Sequence, residues 1–376
     1  MKKIALVYDW LDSWGGVERM LLELKNVFPD ADWYTSIYNL EKAQWVKQID
    51  KNKLHTSFLQ YFPGFIRSNR LLSLFFYPLA FESFDFSKYD VVISISSSFA
   101  KGIITKPSTK HILINLTPTR WLWNLKNDYK KTNFMATYLS FGASFVENYL
   151  RKWDFIAAQR PDHVISISSL IKERTLKYYR RNSLVIYPPF DENYWQNLSE
   201  QKTLHTLEID REFLDKGFYL AVSRIEPYKK IDYLIEVFND NQKNLVIVGD
   251  GSLRNKFMRN ANRNIFFLKN LTDNDLAFLY KSAKALITPQ EEDFGYVALE
   301  AQLFGCPVIS FYKSGVTEAL SQQNKKNIFS NRTISGLNKT IADFEKSKYN
   351  YKINNKFFKK FSRDKFKKDL LALLEN

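Results

Sequence analysis

The stretch ALITPQEEDFGYVALEAQLFGCPVISF, residues 285–311, decides the fold. Residues 285–288 read as a short buried strand, and Pro289 opens a polar turn. Gly295 lets the backbone approach a ligand closely before a helix begins. Gly305 and Pro307 end that helix, and an apolar run at 307–311 follows. A strand, a ligand-accessible turn, a helix and a second strand make one unit of a parallel sheet.

The same rhythm extends in both directions. Apolar runs at 218–223, 244–248 and 265–268 precede the stretch, and Thr272 caps a helix whose stripe is Leu276, Leu279, Tyr280 and Ala283. In the first half, strands are predicted at 4–8, 91–96, 111–116, 164–167 and 184–187. Val17, Met20, Leu21, Leu24, Val27 and Phe28 mark one helix face between them, and Leu170, Ile171, Leu176 and Tyr179 another. Tyr187-Pro188-Pro189-Phe190-Asp191 and the polar stretch 196–211 interrupt the alternation. The expectation is α/β: two Rossmann-like, doubly wound parallel-sheet domains, 1–187 and 188–361. A basic amphipathic helix, 362–376, carries Phe366, Leu370, Leu371 and Leu374 and is expected to pack back toward the N-terminal domain. Ligands bind outside the carboxyl ends of such strands, which puts the expected active site in a central cleft between the domains.

A chain of 376 residues suits two domains that each bury a core. The single cysteine, Cys306, excludes an internal disulfide framework, and the N-terminus runs into a strand instead of a signal-peptide core, so the expected location is cytoplasmic. The apolar run 71–81 is broken by Pro78, follows Arg67 and Arg70, and is about half the ~20 residues of a spanning helix. A formal charge of +15 asks for an anionic partner or marks a generally basic surface. No nucleic-acid module accompanies it, so nucleic acid is not expected. A lipid-phosphate acceptor or an anionic membrane surface suits it better. Residues 58–81 and the C-terminal helix are candidates for docking peripherally on the inner face of the cell membrane, or for packing between the domains.

The helix after residue 295 turns unpaired N–H groups and a positive dipole end toward its ligand side, which suits a phosphate or a sugar hydroxyl. Glu292 before it and Glu300 within it stand eight positions apart. With Phe294-Gly295 between them, these glutamates resemble the signature of the retaining GT-B glycosyltransferases of glycosyltransferase family 4. That resemblance implies that Glu292 touches the donor sugar and Glu300 the ribose, with Phe294, Gly295 and Tyr296 also on the donor side. Arg224 and Lys229 follow the first strand of the second domain with the family's spacing for two cations that stabilise a leaving diphosphate. Gly249, in Gly249-Asp250-Gly251, is similar to the family's strand-to-helix turn, and Leu271 and Thr272 are expected beside the nucleotide base.

In the first domain Gly15-Gly16-Val17-Glu18-Arg19 resembles the glycine loop that lines the acceptor side and approaches the donor phosphate. Ser96 to Gly102 and Leu116 to Asn124, with Arg120 and Trp121 expected on the acceptor side, are similar to a bacterial subgroup rich in mannosyltransferases. Relatives in that subgroup carry His and Asp where this chain has Leu116 and Asn124. Leucine offers no hydrogen bond, which puts donor choice or rate in doubt.

None of His55, His111, His163 and His205 forms a metal-ligand cluster with another His or Cys, and no Asp-x-Asp motif stands in a suitable place; no metal and no cofactor are expected. The family then implies transfer of a hexose from a nucleotide diphosphate sugar, GDP-mannose by subgroup or otherwise a UDP-sugar, to a glycan or lipid-linked acceptor. Rival readings are a glycoside hydrolase using the two glutamates, a sugar-nucleotide epimerase of the same fold, and a subunit that binds without catalysing.

Overall fold

The computed structural model describes residues 2–68, 73–123, 143–198, 209, 211–347 and 355–375. Asn124, Leu71 and Leu72 of the apolar run, and residues 199–208 and 210 of the polar stretch lie outside them. The chain divides into two compact units, Met1–Pro189 with Arg363–Asn376, and Phe190–Ser362.

The first unit is built on a seven-stranded sheet of order β3-β2-β1-β4-β5-β6-β7, parallel throughout. Its strands are β1 (Ile4–Tyr8), β2 (Asp32–Thr35), β3 (Leu54–Thr56), β4 (Val91–Ser96), β5 (Lys110–Asn115), β6 (His163–Ser166) and β7 (Leu184–Val185). The second unit has six parallel strands in the order β10-β9-β8-β11-β12-β13. They are β8 (Tyr219–Val222), β9 (Leu245–Val248), β10 (Ile265–Leu268), β11 (Ala285–Thr288), β12 (Val308–Phe311) and β13 (Ile328–Phe329). Both units are Rossmann-like domains. In each, the strand order reverses beside the first strand, between β1 and β4 and between β8 and β11, and loops leaving such a pair are where this fold binds ligands.

Burial in the second unit follows the period of two. Tyr219, Ala221, Leu245, Ile247, Ala285, Ile287 and Ile309 enter one apolar layer with Leu234 and Phe238 of the helix Ile231–Asn241. Leu220, Val246, Val248, Leu286 and Val308 enter the opposite layer with Leu279 and Tyr280 of the helix Asp273–Ser282. A sheet covered on both faces has fully apolar strands, which is why these runs stand out in the sequence.

Three readings are corrected. β2, β3 and β13 were not expected, because β2 opens on Asp32 and ends on Thr35, β3 is half-buried throughout and β13 has only two residues, so none makes an unbroken apolar run. The predicted 184–187 strand stops at Val185. On the helix Ser169–Tyr179, Leu176 is exposed, and the buried face is Ile171, Arg174, Thr175 and Tyr179. Pro78, which breaks the apolar run, sits in the first turn of a new helix, Tyr77–Glu82, where its missing N–H costs nothing. Within the first unit, the helix Arg363–Glu375 is tied down by Arg363 Nε to Glu23 (2.6 Å) and by Lys2 Nζ to the Leu374 carbonyl (2.6 Å). Among the described residues no helix is long and apolar enough to cross a membrane.

Candidate active site

The loops leaving β8 and β11 carry the sequence-predicted cations and acids. After β8, Pro227–Lys229 forms one 3-10 turn, and Lys230 enters the left-handed region (φ 56°) to start the next helix. This turn places the Tyr228 ring between two cations: the Arg224 guanidinium is 5.9 Å and the Lys229 ammonium 5.6 Å from its centroid. Arg224 is exposed, whereas Lys229 is buried.

Lys229 Nζ donates to Glu292 Oε2, which joins the loop after β8 to the loop after β11. Gln290 Nε2 donates to the same oxygen at 3.1 Å. The backbone of this second loop is clamped. Glu292 N donates to Ser314 Oγ (3.0 Å), Gly315 N to the Glu292 carbonyl (2.7 Å), and Arg332 Nε to the Pro289 carbonyl (2.8 Å). Arg332 also lies 3.6 Å over the Phe311 ring. Gly295 then takes φ 103°, a conformation that favours glycine, as the cap of the helix Tyr296–Leu303.

Of the four charged residues expected to converge, the structure brings Arg224 and Lys229 to one ring and Lys229 to Glu292. Glu300 is placed inside the helix, 2% exposed, where Tyr280 Oη donates to its Oε2 at 2.8 Å. Phe294 is buried against Tyr296 and Phe361. Gly249 (φ 150°) packs so closely on the Ser223 carbonyl that a Cβ would collide with it, so the glycine serves the approach of two loops. Thr272 is a cap: its Oγ1 accepts from Asp275 N (3.2 Å), its own N–H donates to Asp275 (2.9 Å), and its carbonyl accepts from Leu276. Leu271, beside it, is half-buried.

In the first unit Gly15 caps the helix Gly16–Val27 with an extended backbone, and Glu18 of that helix accepts from Ser13 Oγ at 3.2 Å. Arg120 and Trp121 begin the short helix Arg120–Trp123, both half-buried. Leu116 is 4% exposed, so the position expected to bear histidine contributes to the core.

Two buried networks were not anticipated. Asp9, fully buried at the end of β1, accepts from the backbone N–H groups of Ser97, Ser98, Phe99 and Ala100 at 2.6 to 3.0 Å and from the hydroxyls of Ser96 and Ser97. Asp154, 1% exposed, pairs with the equally buried Lys101 at 2.6 Å and accepts from Thr119, Trp123 and Tyr179. The serine run and the Trp153-Asp154 pair were visible in sequence, and a lone acid at the end of an apolar strand was the signal available for Asp9. Among the described residues no group of three or more His, Cys, Asp or Glu is disposed to hold a metal ion.

Residues 207–363 match the family model of Glycosyl transferases group 1. A curated D-rhamnosyltransferase, WbpZ of Pseudomonas aeruginosa, is 28% identical over 172 residues, covering 44% of this chain and 42% of that protein. The alpha-1,3/1,6-mannosyltransferase ALG2 of Candida glabrata is 24% identical over 211 residues, 44% of this chain and 45% of the relative. The chain thus spans about half the length of the curated relatives it matches. Among solved structures, HepE of Anabaena, in complex with UDP and glucose, superposes with a TM-score of 0.69 at 16% identity over all of both chains. The fold is therefore that of the two-domain GT-B class, and the family match with it supports a group 1 glycosyltransferase.

Proposed function

We propose that this protein is a retaining glycosyltransferase that moves a hexose from a nucleotide diphosphate sugar to a glycan or lipid-linked acceptor without a metal ion. The observation that carries it is the Lys229–Glu292 contact, with Arg224 beside it, at the strand-order reversal of the unit that matches the family. As the bond from the anomeric carbon to the diphosphate breaks, negative charge grows on the leaving oxygens. Arg224 and Lys229 stabilise it more than they stabilise the bound donor, which is what accelerates a reaction. The acceptor oxygen bonds to the anomeric carbon on the face the diphosphate leaves, and its proton passes to a phosphate oxygen. Glu292 holds the sugar and Glu300 the ribose; Gly15 and Gly16 approach the donor phosphate, and Arg120 and Trp121 serve the acceptor side.

GDP-mannose is the favoured donor, supported by the mannosyltransferase among the relatives; the UDP complexes of structural neighbours support a UDP-sugar instead. A lipid-linked acceptor would be met at an anionic membrane. Exposed Tyr61, Phe65, Phe75, Phe76 and Leu79, with Phe75 5.3 Å from the Tyr149 ring and the chain's +15 charge, suit such a surface. Sedimentation with anionic vesicles at low salt tests the docking, and a protein left in the supernatant refutes it. Thermal shift with GDP, UDP and ADP and their sugar conjugates tests the enzyme reading. Stabilisation by one base series, and sugar transfer that survives EDTA, are the expected results; an isomerised nucleotide sugar formed without acceptor would indicate an epimerase.

A further inference from the structure

We infer that Gln290 is a positioning residue that holds the Glu292 carboxylate while Lys229 turns to a diphosphate; the inference rests on the donor-site reading above. One oxygen, Glu292 Oε2, receives both Lys229 Nζ and Gln290 Nε2, the latter at 3.1 Å. The two donors differ in what can take them away. An ammonium on a four-carbon stem is a mobile point charge, and a diphosphate that reaches it competes with Glu292 on favourable terms. A neutral amide has no such pull toward phosphate.

The amide is also the better fixed of the two. Gln290 is 2% exposed, and the backbone on both sides of it is pinned, at Pro289 by Arg332 and at Glu292 by Ser314 and Gly315. When Lys229 is drawn to phosphate, Glu292 loses that contact and faces a new anion. The Gln290 hydrogen bond then keeps the carboxylate in place for the sugar. Lys229 accordingly acts on the diphosphate half of the donor, and Gln290, through Glu292, on the sugar half.

Calorimetric titration of the full chain with UDP and GDP, and with UDP-glucose and GDP-mannose, separates these halves. Three variants are compared with wild type: Gln290→Leu, Gln290→Glu and Lys229→Ala. Gln290→Leu is expected to bind the nucleoside diphosphate as wild type does, which also reports that it is folded. Its affinity for the matching nucleotide sugar should fall roughly tenfold, the worth of one hydrogen bond to a charged group. Gln290→Glu keeps the shape of the side chain and sets a second carboxylate against Glu292, so its loss for the sugar conjugate should be larger. That variant decides the matter if the leucine variant does not fold. Equal losses for diphosphate and conjugate, or no loss for either, overturn the role of Gln290. If Lys229→Ala weakens diphosphate binding in that case, the donor-site reading stands and only this inference falls; if Lys229→Ala changes nothing, both fall.

Discussion

In the first unit the loops leaving β1 and β4 are closed on each other by an acid of the chain itself, since Asp9 takes four backbone N–H groups and two hydroxyls. In the second, the loops leaving β8 and β11 meet through Lys229 and Glu292, and an exposed Arg224 stands beside them. The scaffold is the same, and so is the tendency of strand-to-helix turns to present positive charge. What differs is whether that charge is already answered. An internal carboxylate makes the first pair of loops a structural joint, while a mobile Lys229 paired with a clamped acid leaves the second able to receive an external anion.

The comparison breaks most plainly if the two acids and cations exchange roles. Asp9→Ala removes an acceptor from four backbone N–H groups, those of Phe99 and Ala100 deeply buried, and should cost at least about 3 kcal/mol of stability by chemical denaturation. Lys229→Ala should lower the denaturation midpoint less than Asp9→Ala does, yet lower kcat/KM by about a hundred- to a thousandfold. The opposite pattern would reverse the assignment of joint and site. Next in size is Gly295→Ala: an alanine forced to φ 103° beside Val316 should destabilise the second unit by about 1–3 kcal/mol in the same assay.

The first unit has a pH signature of its own. His111 is fully buried against Ser94 Oγ (2.8 Å), and loss of water pushes its pKa down to about 3 from 6.5. The folded state therefore keeps the ring neutral where the unfolded chain takes up a proton. Its contribution is complete above pH 6.5 and is lost as the pH falls toward 3, at about 1.4 kcal/mol per pH unit. The difference in unfolding midpoint between wild type and His111→Gln should follow that slope; parallel curves would contradict it. Smallest is Thr272→Ala, expected to cost about 1 kcal/mol as a lost helix cap, with donor affinity unchanged. Thr272 is expected beside the base through its backbone, and a large fall in nucleotide binding would show that its hydroxyl serves the ligand as well.

The fully buried strands and the loops after β8 and β11 were legible because a two-faced sheet demands unbroken apolar runs and its turns demand glycine or a cap. β2, with a polar residue at each end, and β3, half-exposed, broke that rule and were invisible alone. Leu176 shows the limit of periodicity, since its helix buries Arg174 and Thr175 instead. Lys229 and Glu292 could be named from spacing. Gln290 could not, because an amide in a loop says nothing of its aim until Ser314 and Arg332 fix the backbone around it.

The most direct test is the dissociation constant of wild type and Lys229→Ala for UDP and GDP, measured by calorimetry at fixed salt. Loss of at least about tenfold in affinity for whichever diphosphate binds is predicted from one charge-assisted contact. Equal constants for the two proteins would contradict the placement of the donor diphosphate at Lys229.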